Sequence, residues 1–361
     1  MRIKNESLKI NAVAHPMSKM LPIMIKKAED IADRSLDYEC KDLARHDFRM
    51  VRTDAVKFKF GREYEEFNIL PFATSQLCHK LGMPYKFFNK LENMGYDMSQ
   101  LLLDTMNGLA RRYKGQLLLR TVDSHIRGVL TPKYRAFDTN ELLDVFSCAS
   151  SNINFLERDS LVVRGLYQGL DLFHMRFTSS EQAKYLQDKD LYFGMQLTSS
   201  DVGRSSIRLD FFVFKRICTN GLCLKLLDNC LYDQRHIGVT KDDVYLGLSA
   251  AFDSFPRLVN LATDLINRGS QASIVESGIL ASSESQAAKK QREQMKRYLA
   301  VGDEDLDALA RITIRNYEPT VWGYVNAITE YSQRFDVIRR MDLENKAGKL
   351  LSKEGMQYFV G

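Results

Sequence analysis

Between Arg111 and Arg135 the chain carries seven cations, Arg111, Arg112, Lys114, Arg120, Arg127, Lys133 and Arg135, against one acid, Asp123. Guanidinium and ammonium groups at that density can neutralise successive phosphates of a polynucleotide, and Tyr134 and Phe137 beside them offer ring faces for stacking unpaired bases. A second cluster, Lys289, Lys290, Arg292, Lys296 and Arg297, contains only Glu293 as an acid. Both clusters, with Tyr134, are the expected nucleic-acid-binding residues. The plainer reading of the same cations is a solvated basic surface, which is ordinary on soluble proteins.

Other chemistries find less support. Cys218, Cys223, Cys230 and His236 carry thiol and imidazole ligands, but their x4, x6 and x5 spacings match no common zinc knuckle or ribbon, and Cys-x-x-Cys is absent. No metal is expected. A metal-dependent nuclease would need Asp171, Asp201 and Asp210 to converge on a cation, while turn chemistry accounts for Asp201 more simply. The phosphate-binding, dinucleotide, zincin and nucleophile-elbow signatures are all missing, so no catalytic residue and no cofactor is expected.

The elements that would position these groups can be read locally. Residues 116–122 and 125–130 are rich in strand formers and flank Asp123-Ser124, which predicts a hairpin. Asp138 with Glu141 three residues later then starts an apolar helix, completing a β-β-α unit. Upstream, helices are expected over 16–34, 75–81, 84–91 and 98–113, with an extended stretch over 46–59; the pair joined by Gly82-Met83-Pro84 has the look of a helix-turn-helix, for which simple packing is the plainer account. Strands are expected over 161–166, 171–178, 191–199 and 206–214. Their period of two buries one face and leaves Arg164, His174, Arg176, Arg208 and Asp210 on the other, where a ligand would lie.

Asn220-Gly221 is tight-turn chemistry. A long amphipathic helix over 242–267 should kink or break at Pro256. The fold class that results is α+β: a mainly helical N-terminal region (1–114), a central antiparallel domain with β-β-α units (115–268), a Ser-rich linker (269–285) and a helical C-terminal region (286–361). The linker would present the basic helix at 286–299 away from the core, and Trp322 reads as core packing.

A net charge of +5 permits nucleic-acid binding without requiring it. Charged residues interrupt the first 35 positions and no apolar run reaches bilayer length, so the expectation is a cytoplasmic protein with reduced thiols and no membrane partner.

FATSQLCHKLGMPYKFFNKL (72–91), LLRTVDSHIRGVLTPKYRAFDTNELL (118–143), RICTNGL (216–222) and WGYVNAITEYSQR (322–334) occur in that order. In these motifs the chain, from about residue 45 to 334, resembles a prokaryotic phage/plasmid-like protein family of unknown function. The resemblance implies a phage or mobile-element context and a cytoplasmic protein that meets DNA. It implies no enzyme. With the basic clusters it points to single-stranded DNA binding or annealing in recombination or replication, with homo-oligomerisation as an accessory possibility. The alternatives are a non-catalytic regulatory or interaction protein of a mobile element, or the metal-dependent nuclease.

Overall fold

The computed structural model describes residues 8–43, 48–135, 137–151, 161–179, 191–217, 220–224, 230–275, 277–280 and 285–359. Strand β1 (Leu8–Pro16) leads into α1 (Met17–Asp33) and β2 (Ser35–Cys40), followed by the antiparallel meander β3 (Phe48–Arg52), β4 (Ala55–Phe60) and β5 (Glu63–Ile69). Helices α2 (Pro71–Lys80), α3 (Tyr85–Glu92) and α4 (Tyr96–Arg112) precede the hairpin β6 (Leu117–Val122) and β7 (His125–Leu130). Then come α5 (Thr139–Ser151) and β8 (Leu161–Gln168), β9 (Phe173–Ser179), β10 (Leu191–Ser199), β11 (Ile207–Ile217), β12 (Asn220–Leu224) and β13 (Cys230–Gln234). The chain finishes with α6 (Lys241–Asp253), α7 (Phe255–Gln271), α8 (Gln286–Leu299), α9 (Asp303–Asn316), α10 (Val321–Ser332), α11 (Val337–Lys349) and the single turn α12 (Lys353–Met356).

Two sheets result. One orders β1-β8-β9-β10-β11-β12 with β13 also on β11, antiparallel throughout; β11 is long enough to pair β12 along Val213–Ile217 and β13 along Ile207–Asp210. The other orders β2-β6-β7-β5-β4-β3 and is antiparallel except where β5 meets β7 in parallel. That one parallel pairing needs a crossover, and α2, α3 and α4 supply it. They bury Leu77, Phe88, Leu102 and Met106 against the six-stranded sheet in a core of its own. A larger core joins α1, α5, α6, α7 and the C-terminal helices to the seven-stranded sheet.

The expected α+β class with antiparallel sheets and helices at both ends is the observed one. The 1–114 boundary, however, runs through both sheets, because β1 pairs β8 and β2 pairs β6. The edge strand β2, SLDYEC, buries only Cys40 fully and so shows little hydrophobic alternation to read. The break at Pro256 is present: α6 ends at Asp253, with Ser254 as its cap, and α7 restarts at Phe255 with Pro256 in its first turn. Asn220 and Gly221, by contrast, lie in β12, paired with Ile217 and Arg216, and so do not form the turn their types suggest.

The second face of the seven-stranded sheet is closed as well. Arg164, His174, Arg176 and Asp210 are all buried, Arg208 is half-buried, and every residue of β10 is buried. Glu344 of α11 accepts from Arg176 at 2.6 Å, while the Arg164 guanidinium lies over the Tyr192 and Phe214 rings at 4.5 and 4.9 Å. Pairing partners brought from distant segments let these polar groups be buried, which period-two logic alone does not foresee.

The described residues of 269–285 also depart from the linker expectation. Ser273 bridges to Thr320, Gln291 Oε1 accepts from the Gly278 N–H at 2.8 Å, and Ile274 and Ile279 are fully buried in the larger core. A Cβ at Gly278 would stand 2.2 Å from the Ala288 Cα, so glycine permits this close approach. Two isoleucines and a glycine thus anchor a stretch whose serines suggested a free tether. Ile279→Ala should lower unfolding free energy by about 2–4 kcal/mol in a denaturant titration, whereas at a solvated linker position the change would stay within about 0.5 kcal/mol.

Candidate functional site

The hairpin β6–β7 forms as expected: Val122 pairs His125 around Asp123-Ser124, and Asp123 takes a positive φ of 48° that an aspartate tolerates. Its register has a second consequence. Leu118 opposes Leu130, so the residues before β6 and those after β7 lie at the same end of the sheet. Arg111, Arg112, Lys114, Lys133 and Arg135 are exposed there. The Arg135 N–H donates to the His236 carbonyl at 3.1 Å, which brings exposed Arg235 to this rim.

Beneath the rim, the two sheets are joined by buried charge. Arg120 is 3% exposed and reaches three acids: Nε to Asp37 Oδ1 at 2.8 Å, Nη1 to Asp138 Oδ1 at 2.8 Å and Nη1 to Asp201 Oδ2 at 3.5 Å. Arg127, 2% exposed, places Nη1 2.8 Å from the same Asp201 oxygen and donates to the Leu170 carbonyl. Asp201 lies in the connection between β10 and β11, which is held to the hairpin side by further bonds. Gln76 of α2 donates to the Val202 carbonyl and accepts from the Val129 N–H, both at 2.8 Å, and Tyr134 Oη donates to the Ser200 carbonyl at 3.0 Å. Gly128 is needed at this crossing, since a Cβ there would meet Val202 at 2.9 Å.

The electrostatics follow from burial. Desolvation works against the Asp138 carboxylate, yet the Arg120 guanidinium holds it below its ordinary range. Burial, reinforced by the charge of Asp138, pushes the Asp201 carboxyl up against the pull of Arg127 and Arg120. Two acidic side chains whose proton affinities are displaced in opposite directions share the site. His236, 3% exposed, is driven down to about 4 by burial and by the Arg120 charge, so its imidazole is neutral. The Tyr134 ring stacks on it with centroids 5.6 Å apart and planes at 24°.

This arrangement contains part of a nucleophile-base pair, since Ser199 Oγ lies 3.5 Å from His236 Nε2. Among the described residues, however, no side chain is placed on His236 Nδ1 to orient the base. The carboxylates of the nuclease expectation do not converge: Arg204 takes Asp171, Arg127 takes Asp201 and Arg208 takes Asp210. Among the described residues no group of three His, Cys, Asp or Glu side chains is placed to hold a metal ion. Cys218 and the Cys223 side chain lie outside the described residues; the Cys230 thiol is pushed up to about 11, chiefly by burial.

Two expected phosphate ligands, Arg120 and Arg127, are therefore ion-paired struts of the interior. Tyr134 and Phe137 are not stacking platforms, because Tyr134 is held by Ser200 and His236 and Phe137 is buried. In α8, Lys289, Lys290 and Arg297 are exposed, Arg292 pairs Asp307 at 2.7 Å, and Lys296 pairs Glu293 and Asp303 at 2.8 Å each. That helix is docked through Met295 and Leu299, both fully buried, and is not presented on a tether. Asp37, Asp138 and Gln76 were missed. For Asp138 a signal existed, since Glu141 Oε2 accepts its backbone N–H at 3.3 Å in a capping interaction, leaving its carboxylate for Arg120.

Two outcomes test this geometry. Arg127→Ala should cost about 3–5 kcal/mol in chemical denaturation, because Asp201 stays buried after losing its nearest cation. For His236, the folded affinity lies below the unfolded value of 6.5, so the unfolded chain binds the extra proton and stability falls as pH drops from about 6.5 to about 4. That contribution is at most about 3 kcal/mol, and the difference between wild type and His236→Gln across the window isolates it from the carboxyl groups, with Asp201 acting in the opposite sense.

No curated protein and no solved structure matches this chain. A family match covers residues 128–352, which is more than half of the sequence and includes Tyr134, Asp138, Asp201 and His236. The chain is thereby a member of the family described as Domain of unknown function (DUF932).

Proposed function

We propose that this protein binds single-stranded DNA through the exposed rim at the shared end of β6 and β7, in the setting of a phage or mobile element. The observation that carries the reading is the Leu118–Leu130 register, which gathers Arg111, Arg112 and Lys114 with Lys133 and Arg135 although about twenty residues of hairpin separate the two groups. Arg235 extends the rim. A row of solvated cations on a rigid sheet end suits a flexible phosphate backbone, and such contacts are largely indifferent to sequence. The resemblance to phage/plasmid-like proteins supports the setting, and recombination or replication is the process in which such a protein would serve. Annealing would require two strands and therefore a second copy or a second cationic surface, for which Lys289, Lys290 and Arg297 of α8 are available.

The test is an anisotropy titration with a single-stranded and a double-stranded oligonucleotide at two salt concentrations. Lys133→Ala/Arg135→Ala should weaken single-strand binding and flatten the slope of log K against log salt by about 1.4, the value for two phosphate contacts. Its melting temperature should stay at the wild-type value because both residues are exposed. Equal affinity in the folded double variant and the wild type removes the rim as the binding surface.

A further inference from the structure

The helical hairpin α3–α4 turns apolar side chains to solvent. Eleven large hydrophobic residues are exposed among the described ones, and four of them, Phe87, Met94, Tyr96 and Leu101, fall within the fifteen residues 87–101, each at least half exposed. The other seven are scattered from Ile23 to Ile314. Single exposed apolar residues are ordinary, whereas a concentration of them marks an interaction surface.

Helical geometry groups these side chains with charge. The connection 93–95, in which Gly95 takes a φ of 109°, is short, and α4 packs back against α3. Around α3, Phe88 faces the core, while Lys86, Phe87, Lys90 and Met94 share an arc of about 100° turned away from it. Around α4, Leu102 and Met106 face the core, and Asp97, Gln100, Leu101 and Asp104 share an outer arc of about the same 100° width. The exposed charges are therefore basic on α3 and acidic on the first half of α4. Among the described residues none of Lys86, Lys90, Asp97 and Asp104 forms an ion pair, and the one side-chain bond to any of them is from Gln100 to Asp104 at 3.3 Å.

We propose that this face is the contact between two copies of the chain, with α3 of one copy lying on the first half of α4 of the other about a two-fold axis. The axis makes the contact twice, so Lys86 and Lys90 of each copy meet Asp97 and Asp104 of the other, while Phe87, Met94, Tyr96 and Leu101 leave water between them. A polynucleotide suits the face poorly, because Asp97 and Asp104 would oppose its phosphates. A second copy supplies an acidic helix for the basic one and a basic helix for the acidic one. Arg111 and Arg112 stand at the far end of α4, about 20 Å from Asp97 along the helix axis, so the cationic rim stays open in the pair. Two rims on one particle is what annealing two strands would require, and the contact itself does not depend on that reading.

Sedimentation equilibrium on the full-length protein without DNA reads the mass directly. The wild type should pass from one chain to two as its concentration rises through the micromolar range. Lys86→Glu/Lys90→Glu and, separately, Asp97→Lys/Asp104→Lys should each raise the dissociation constant at least about tenfold, since like charges then face each other across the axis. All four positions are exposed, so the chain should fold with either pair of changes. An equimolar mixture of the two variants should recover the two-chain mass, because each reversed helix then meets its complement. A wild type that stays a single chain overturns the contact, as does a two-chain mass that both variants leave unchanged. Variants that dissociate but do not recover on mixing overturn the pairing of α3 with α4. Lys133→Ala/Arg135→Ala should associate like the wild type, so failure of the rim and failure of this contact are separate results.

Discussion

Two guanidinium groups in the interior are the constraint around which the molecule is arranged. Arg120 and Arg127 come from adjacent strands of the six-stranded sheet, and both meet Asp201, which belongs to the seven-stranded one. A buried cation without partners would cost far more than any single packing contact contributes, so the connection carrying Asp201 must dock against the hairpin wherever the hairpin folds. Gln76, Tyr134 and Gly128 then fit the docked position: two hydrogen-bonding side chains and one absent Cβ, all directed at residues 200–202. The network secures the relative position of the two sheets more than it adds to net stability, because desolvation offsets most of the Coulombic gain.

That constraint also sorts the cations by role. Arginine's planar fork lets Arg120 satisfy three acids at once, a geometry an ammonium does not offer, and both buried positions of the 111–135 segment are arginines while its two lysines, Lys114 and Lys133, are on the rim. The cations outside the network are solvated at one end of the sheet. The same principle governs the second face of the larger sheet, where Glu344 is shared by Arg176 and Arg340. Beside them, burial together with the charges of Arg176 and Arg340 holds His174 well below its ordinary affinity for a proton.

Local patterns in the sequence carried much of the architecture. Asp123-Ser124 between two β-rich runs, the alternation that marks 191–199 and 206–214 as strands, though not the closure of their second face, and Pro256 inside a helical period each act over a few residues, and these elements are observed. What could not be read depends on distance along the chain. Arg120 is separated from Asp201 by 81 positions and Arg176 from Glu344 by 168, so nothing near either arginine marks it as buried. A run of cations looks the same whether it faces solvent or a carboxylate brought in from elsewhere. The stretch 269–285 shows the converse, since two isoleucines and a glycine outweigh a Ser-rich composition once Ala288 and Gln291 are there to receive them.

The family match begins at residue 128, inside β7, immediately after Arg127. Asp138, Asp201 and His236 fall within it, whereas both guanidiniums, Asp37 and the pairing strand β6 precede it. A chain cut at that boundary would keep Asp138 and Asp201 and lose their cations, and would leave β7 without its partner β6. The ion-pair network of this protein thus spans both the matched region and the segment before it. The same hairpin that supplies the buried arginines carries the solvated ones at its open end.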